Sequence, residues 1–276
     1  MNDIVSVGWL FKHLEDPDLI ILDCRLNKPN DKNDKNALEG IFIPKTRRFD
    51  LNGQFSESET DLPHMMPTEA YFGKSAKELD INQDSKIVVY DQFGIYSSPR
   101  VWWMFKTMGH GEIAVLNGGL PAWVKDGKPT TSSLSKSNGT GNFRATLNTK
   151  WVSNAQEVLQ KSKDTAHLVL DARSAGRFKG VEPEPRAGLR GGHIPNSTNL
   201  PFQQVLEDNR YKNPEALRSI FEAMDVQKRS LTFSCGSGVT ASIIALAAKL
   251  SGFEDLSVYD GSWSEWGQLD DYPVAQ

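Results

Sequence analysis

The sequence predicts an α/β protein made of two tandem copies of one domain, each a mainly parallel sheet flanked by helices. Three observations carry that prediction. Four segments of the first half recur in the second half in the same order, short β-branched runs alternate with helical ones, and a polar run separates the halves. At 276 residues the chain is long enough for two domains of ordinary size.

The repeats come first because they organise everything else. LIILDCR (Leu19 to Arg25) recurs as LVLDAR (Leu168 to Arg173), and GIFIPKTRRFDL (Gly40 to Leu51) as GGHIPNSTNLPF (Gly191 to Phe202). LDINQDSKIVVYD (Leu79 to Asp91) recurs as MDVQKRSLTFSC (Met224 to Cys235), and VLNGGLPAW (Val115 to Trp123) as VYDGSWSEW (Val258 to Trp266). In the first copy the strand Lys86 to Tyr90 precedes a helical stretch, Ser97 to Gly109, with Gly109 as its C-cap. In the second, LTFS precedes a helix over Ala241 to Leu250, and Gly252 follows. Strands joined by helices imply parallel pairing, with ligands at the carboxyl ends of the strands.

The run PTTSSLSKSNGTGNF (Pro129 to Phe143) is too polar to fold alone and reads as a linker. The expected boundaries are therefore a first domain over 1–130, a linker over 131–145 and a second domain over 146–276. Another polar run, KPNDKNDKNALEG (Lys28 to Gly40), reads as a solvated loop inside the first copy.

Charge and composition narrow the function. A net charge of −4 gives no electrostatic case for nucleic acid. No run of about 18 apolar residues appears, which argues against a membrane span. The early acidic residues of MNDIVSVGWLFKHLEDP do not read as a secretory signal, so a cytoplasmic setting is expected. In that setting Cys24 and Cys235 are reduced thiols rather than a disulfide. The five histidines are scattered with no zinc-like spacing, so no metal is expected.

The chemistry concentrates in TFSCGSGVTAS, where Cys235 ends a strand and faces a helix N-terminus. Unpaired backbone N–H groups and the helix dipole there favour a thiolate. Gly236 and Gly238 allow torsions that turn successive N–H groups inward as an anion nest, and Ser237 and Thr240 add hydroxyls. Cys24, directly behind an apolar run with no such loop, reads as a core residue. A cysteine phosphatase loop ends in an arginine six residues after the cysteine, and here that position is Ala241. A nucleotide P-loop would need a Gly-Lys-Ser/Thr ending, which is absent. A cysteine that carries sulfur as a persulfide needs N–H donors without a phosphate clamp, and fits.

CGSGVT, RFKGVEPEPRAGLRGGHIP, YDGSWSEWG and SSPRVWW together resemble the two-domain rhodanese-like sulfurtransferases, over about Val5 to Pro273. Thiosulfate-using members of that family carry basic residues beside the cysteine. Gly236 and Ser237 stand in those places here, a neutral loop that resembles the members using 3-mercaptopyruvate, a donor of lower charge. The resemblance implies rhodanese-type domains, a catalytic second copy, and a first copy without activity because Asp91 replaces the cysteine. It implies Cys235 as the nucleophile, Ser237 as a proton relay or a plain loop donor, and Gly236, Gly238, Val239 and Thr240 as the cradle. It implies Arg177 and Arg186 as substrate ligands, the alternative for Arg186 being a loop salt bridge with Glu182 or Glu184. Arg190, His193, Trp263 and Trp266 read as structural. Arg100 is either a helix-surface residue or one that reaches the substrate, and Phe42 stands where the first copy of relatives has histidine. No metal or organic cofactor is implied; the partners are 3-mercaptopyruvate and a thiol acceptor such as thioredoxin. Two other readings remain open from the residues, a thiosulfate donor and a non-catalytic redox-sensing or anion-binding module.

Overall fold

The computed structural model describes residues 1–26, 38–224, 226 and 229–276. The chain divides into two compact units, one formed by Met1–Ser58, Met66–Asn148 and Asp208–Arg210, the other by Glu59–Met65, Thr149–Glu207 and Tyr211–Gln276. Unit one holds strands β1 (Ile4–Val5), β2 (Leu19–Asp23), β3 (Thr46–Arg48), β4 (Lys86–Tyr90) and β5 (Ile113–Leu116). Its helices are α1 (Val7–Lys12), α2 (Glu69–Glu78), α3 (Ser98–Thr107) and α4 (Gly119–Lys125). The second half of the chain carries β6 (Val152–Ser153), β7 (His167–Asp171), β8 (Thr198–Asn199), β11 (Ser230–Ser234) and β12 (Leu256–Tyr259), with β9 (Leu206–Glu207) and β10 (Arg210–Tyr211) as a separate two-stranded ribbon. Its helices are α5 (Ala155–Lys161), α6 (Ala175–Phe178), α7 (Pro214–Glu222), α8 (Val239–Leu250) and α9 (Ser262–Trp266).

The two main sheets have one topology. Strand order is β1-β5-β4-β2-β3 in the first and β6-β12-β11-β7-β8 in the second, and every pairing is parallel. The middle strands, β4 and β11, are buried along their length after the first residue, as strands covered by helices must be; β4 is apolar on both faces, and β11 carries Leu231 and Phe233 on one face and Thr232 and Ser234 on the other. Asp91 and Cys235 directly follow them. The helix starts are written in the sequence: Ser6, Thr68, Asn154, Ser174 and Asn213 each accept a first-turn N–H, and Asn154 forms a capping box with Glu157. Helix α3 ends before Gly109, whose φ of +83° suits glycine. Helix α8 begins at Val239, two residues before the start read from the sequence.

Aromatic residues fill the interiors. Trp102, Trp103 and Phe105 from α3 are buried in unit one, and Trp263 and Trp266 from α9 are buried in unit two. Each such side chain contributes on the order of 1.5–3 kcal/mol by leaving water. Residues 131–145 carry no helix and lie along unit one. Thr131 bridges Phe42, Ser135 N–H donates to Thr46 O at 2.8 Å, and Phe143 is buried against Phe72, Phe105 and His110. Most of the segment 28–40 lies outside the described residues, and its last residues, 38–40, form a turn. Among the described residues no helix is long and apolar enough to cross a membrane.

The D-x-R pairs of the first repeat become buried ion pairs at the strand ends. Asp171 accepts from Arg173 Nε at 3.0 Å and Nη2 at 2.6 Å, and Arg173 also donates to Glu184 at 2.8 Å and to Gly192 O at 2.8 Å. Its guanidinium lies 4.2 Å from the Trp263 ring centre. Burial works against this charge, but Asp171 and Glu184 outweigh it and hold the Arg173 pKa above its ordinary value. The equivalent Arg25 pairs with Asp23 at 2.7 Å and lies 4.6 Å from the Phe42 ring. Removing one partner of such a pair leaves a buried charge uncompensated, at a cost of about 3–5 kcal/mol. Asp171→Ala should therefore lower the urea midpoint of the second unit's transition sharply, whereas Glu15→Ala, which breaks the exposed pair with Lys45, should leave the unfolding curve nearly unchanged.

Candidate active site

The strand β11 ends at Ser234, and the chain turns through Cys235 to Gly238 before entering α8. Gly238 makes that turn with φ +75°, a conformation glycine adopts at little cost. Cys235 is 1 % exposed, while Gly236, Ser237 and Thr240 are half-buried. Cys24, by contrast, is fully buried, with its thiol 3.6 Å from Leu22 O. Burial first, and the charges of Asp23 and Asp91 second, push its pKa well up and keep it protonated.

The loop is braced from behind by α9. Trp263 N–H donates to Cys235 O at 2.9 Å, and Ser264 N–H donates to Gly236 O at 2.9 Å. The Ser264 hydroxyl donates to the same Gly236 carbonyl at 2.5 Å. Ser262 Oγ accepts from the N–H groups of Cys235 (3.2 Å) and Gly238 (3.1 Å) and donates to Tyr259 O at 2.8 Å. Ser262 does this at φ +50°, a left-handed conformation that costs a non-glycine residue about 1–2 kcal/mol. The matching residue of the first repeat is Gly119, at φ +53°, whose backbone needs no such hydroxyl.

Gly238 supplies the turn, and its own N–H donates to Ser262 Oγ. The N–H groups of Gly236, Ser237, Val239 and Thr240 have no partner among the described residues, and the Ser237 and Thr240 hydroxyls take no part in holding the loop. An anion beyond the sulfur would meet these donors.

Two of the expected arginines come to the loop. Arg177, on α6, donates to Glu184 through Nε at 3.2 Å and Nη2 at 2.5 Å. Its Nη2 stands where a side chain at position 236 would begin, 3.0 Å from an ideal Cβ, so glycine there admits the guanidinium. Arg186 Nη1 donates to Ser264 Oγ at 3.3 Å. Arg190 is structural: it donates to the carbonyls of Gly267, Tyr272, Trp266 and Leu269. His193 is structural too, stacked 3.8 Å from Phe178 and bonded through Nδ1 to Phe178 O at 2.9 Å. Phe42 and His193 hold matching places, each in an isolated bridge to a later segment, Thr131 and Ala275. Arg100 is not on a helix surface. It is fully buried, with its guanidinium 4.4 Å from the Trp103 ring centre.

The first copy shows what this loop does with a side-chain carboxyl group. The Asp91 carboxylate accepts from the N–H groups of Phe93 (2.9 Å), Tyr96 (2.8 Å), Ser97 (3.1 Å) and Ser98 (3.0 Å), and from the Ser98 hydroxyl at 2.7 Å. A side-chain carboxylate fills that nest. In the second copy a thiol stands at the same point of the fold.

A cleft of about 600 Å³ lies at the amino ends of β11 and β12, the edge opposite Cys235. Lys161 enters it and donates to Ser153 (2.8 Å), Thr232 (3.3 Å) and Ser257 (3.2 Å). Desolvation by burial lowers the Lys161 pKa. No group expected from the sequence to act falls there. Among the described residues no cluster of His, Cys, Asp and Glu is arranged to hold a metal.

Comparison with known proteins agrees with this geometry. A model of the rhodanese-like domain matches residues 6–126 and 154–269. The chain is 36 % identical to the 3-mercaptopyruvate sulfurtransferase of Escherichia coli K12, over 98 % of this chain and 96 % of that protein. It is 39 % identical to the thiosulfate sulfurtransferase of Rattus norvegicus, over 95 % of this chain and 91 % of that protein. The crystal structure of the Escherichia coli protein SseA superposes with a TM-score of 0.85 at 32 % identity, covering 95 % of this chain and 99 % of that one. Two matched copies, one fold repeated, and a cysteine loop at the end of the middle strand place this chain in the rhodanese-like domain family.

Proposed function

We propose that this chain is a sulfurtransferase that moves the sulfur of 3-mercaptopyruvate to a thiol acceptor through a persulfide on Cys235. The observation that carries the reading is the Cys235 loop itself, with open N–H groups at Gly236, Ser237, Val239 and Thr240 and no charged side chain within CGSGVT. Overall identity does not choose the donor, since relatives named for 3-mercaptopyruvate and for thiosulfate match about equally well. The loop does. A thiosulfate dianion calls for basic side chains on the loop itself, and CGSGVT carries none; the nearby Arg177 is already paired with Glu184. A 3-mercaptopyruvate anion keeps its charge on the carboxylate, away from the sulfur, where arginines are the natural partners.

In the first half-reaction the Cys235 thiolate attacks the donor sulfur. An S–S bond forms, the C–S bond breaks, and its electron pair leaves on carbon as pyruvate enolate. Arg177 and Arg186 ease the charge on the carboxylate and the enolate oxygen. The proton of the transferred thiol then moves to the enolate carbon, giving pyruvate and a persulfide anion; we assign Ser237 to carry it, the alternative being a plain donor of the loop. The persulfide faces the N–H groups of residues 236, 237, 239 and 240. In the second half-reaction an acceptor thiolate attacks the outer sulfur and restores the Cys235 thiolate. A small thiol or a thioredoxin-type dithiol serves as acceptor, and cyanide serves in vitro. The two free cysteines suit a thiol-reducing compartment such as the cytoplasm. The boundaries 1–130 and 146–276 remain our reading of the two domains, the second being the catalytic one.

Thiocyanate formation from cyanide should be much faster with 3-mercaptopyruvate than with thiosulfate and should vanish in Cys235→Ser. A preference for thiosulfate would sink the donor assignment and leave the fold untouched. Silence with both donors would move Cys235 to sensing or binding.

The environments of the two thiols give a second check. Iodoacetamide on the native protein should modify Cys235 and leave Cys24 unlabelled, because burial and the neighbouring Asp23 and Asp91 keep Cys24 protonated, whereas Cys235 adjoins the open N–H groups of its loop; both should react after unfolding. Labelling of Cys24 at the rate of Cys235 in the native protein would contradict this.

A further inference from the structure

Ser264 lies between two parts of the site that the mechanism uses separately. Its hydroxyl donates to Gly236 O at 2.5 Å and accepts from Arg186 Nη1 at 3.3 Å. The Ser264 N–H holds the same carbonyl at 2.9 Å, so the hydroxyl is not needed merely to satisfy Gly236. The same hydroxyl links Arg186 through α9 to the Gly236 peptide. Ser264 is 1 % exposed and sits inside α9, where alanine has the better helix propensity. The first repeat has Pro121 at this place, with neither a hydroxyl nor an N–H, in the copy whose loop holds Asp91 instead of a cysteine. The hydroxyl thus accompanies the cysteine and not the fold.

We propose that Ser264 is a positioning residue that locks the Arg186 guanidinium to the Gly236 peptide, so that recognition of the donor's carboxylate and alignment of the persulfide cradle are a single arrangement. The trans peptide that directs Gly236 O into α9 directs the Ser237 N–H the opposite way, away from α9. Through Ser264 the carboxylate end of the donor is measured from that same peptide. A donor with its sulfur at the Cys235 thiolate and its carboxylate on Arg186 spans a distance set by one hydroxyl. This inference rests on Arg186 as a donor ligand, the role given to it under the proposed function.

The test uses two alkylating agents of similar size that differ in the carboxylate. The rates of Cys235 modification by iodoacetate and by iodoacetamide are followed by mass spectrometry of the Cys235 peptide in wild type, Ser264→Ala, Ser264→Thr, Arg186→Ala and the double variant Arg186→Ala/Ser264→Ala. The iodoacetate-to-iodoacetamide ratio should fall about tenfold in Ser264→Ala, near the lower end of the effect of losing one hydrogen bond to a charged group. Arg186→Ala should lower it at least as far, the double variant no further than Arg186→Ala, and Ser264→Thr should keep most of it. KM for 3-mercaptopyruvate should rise in Ser264→Ala by a similar factor, more than kcat falls. A Ser264→Ala variant that slows both reagents alike would show a general loop defect and overturn the proposal. So would an unchanged ratio in Ser264→Ala, whether or not Arg186→Ala lowers it. Turnover of 3-mercaptopyruvate by wild type, measured on the same preparation, reports separately on the proposed function, because the alkylation ratio does not depend on sulfur transfer.

Discussion

A planar trans peptide cannot turn its carbonyl one way without turning the next N–H the other. The Cys235 loop is built on this constraint. Helix α9 presents the unpaired N–H groups of its first turn, those of Trp263 and Ser264, and they take the carbonyls of Cys235 and Gly236. The N–H groups of Gly236 and Ser237 are thereby directed away from α9. Ser262 completes the brace by accepting the N–H groups of Cys235 and Gly238 on one oxygen. A short, buried helix of five residues thus sets the polarity of the surface that meets the sulfur. Its left-handed serine stores strain of about 1–2 kcal/mol, which surrounding contacts must outweigh.

A second constraint reaches the loop from the core. Asp171 and Arg173 form a buried pair at the end of β7, and Arg173 also holds Glu184, whose side chain is 2 % exposed. Glu184 in turn holds Arg177, and Arg177 lies over the Cα of Gly236. Charges alternate along this path from the sheet to the loop. The guanidinium at its outer end is therefore fixed by partners that are fixed themselves, which is how preorganisation is obtained without a rigid side chain.

Much of this was legible in the sequence, for identifiable reasons. The strand Lys86–Tyr90 is apolar and β-branched, and Ser230–Ser234 alternates Leu231 and Phe233 with hydroxyl residues, so both read as strands from their composition. The repeat then placed Asp91 and Cys235 at equivalent positions, and the two units have the same strand order. Other features were hidden. Ser262 and Ser264 act on a loop more than twenty residues earlier in the chain, and no periodicity announces a contact of that range. A signal was present in the repeat itself, since Gly119 and Pro121 stand opposite these two serines and only the cysteine-bearing copy has the hydroxyls. The part played by Gly238 was hidden as well, because a sequence does not say which N–H groups are already taken. The polar run 131–145 has the composition of a free tether, yet backbone bonds to Thr46, Lys77 and Ile81 and the buried ring of Phe143 lay it on unit one.

The carboxylate of Asp91 bears on how the two copies diverged. Four backbone N–H groups and one hydroxyl converge on it, and α3 begins seven residues after it, whereas α8 begins four residues after Cys235. Reverting Asp91 to cysteine alone would strip those donors of their acceptor and leave a loop of the wrong length, with glycine and proline where the braces belong. The two copies are therefore not interchangeable by one substitution: a sulfur at position 91 set in a cradle like that of Cys235 would need the loop length, the two brace positions and the residue itself to change together.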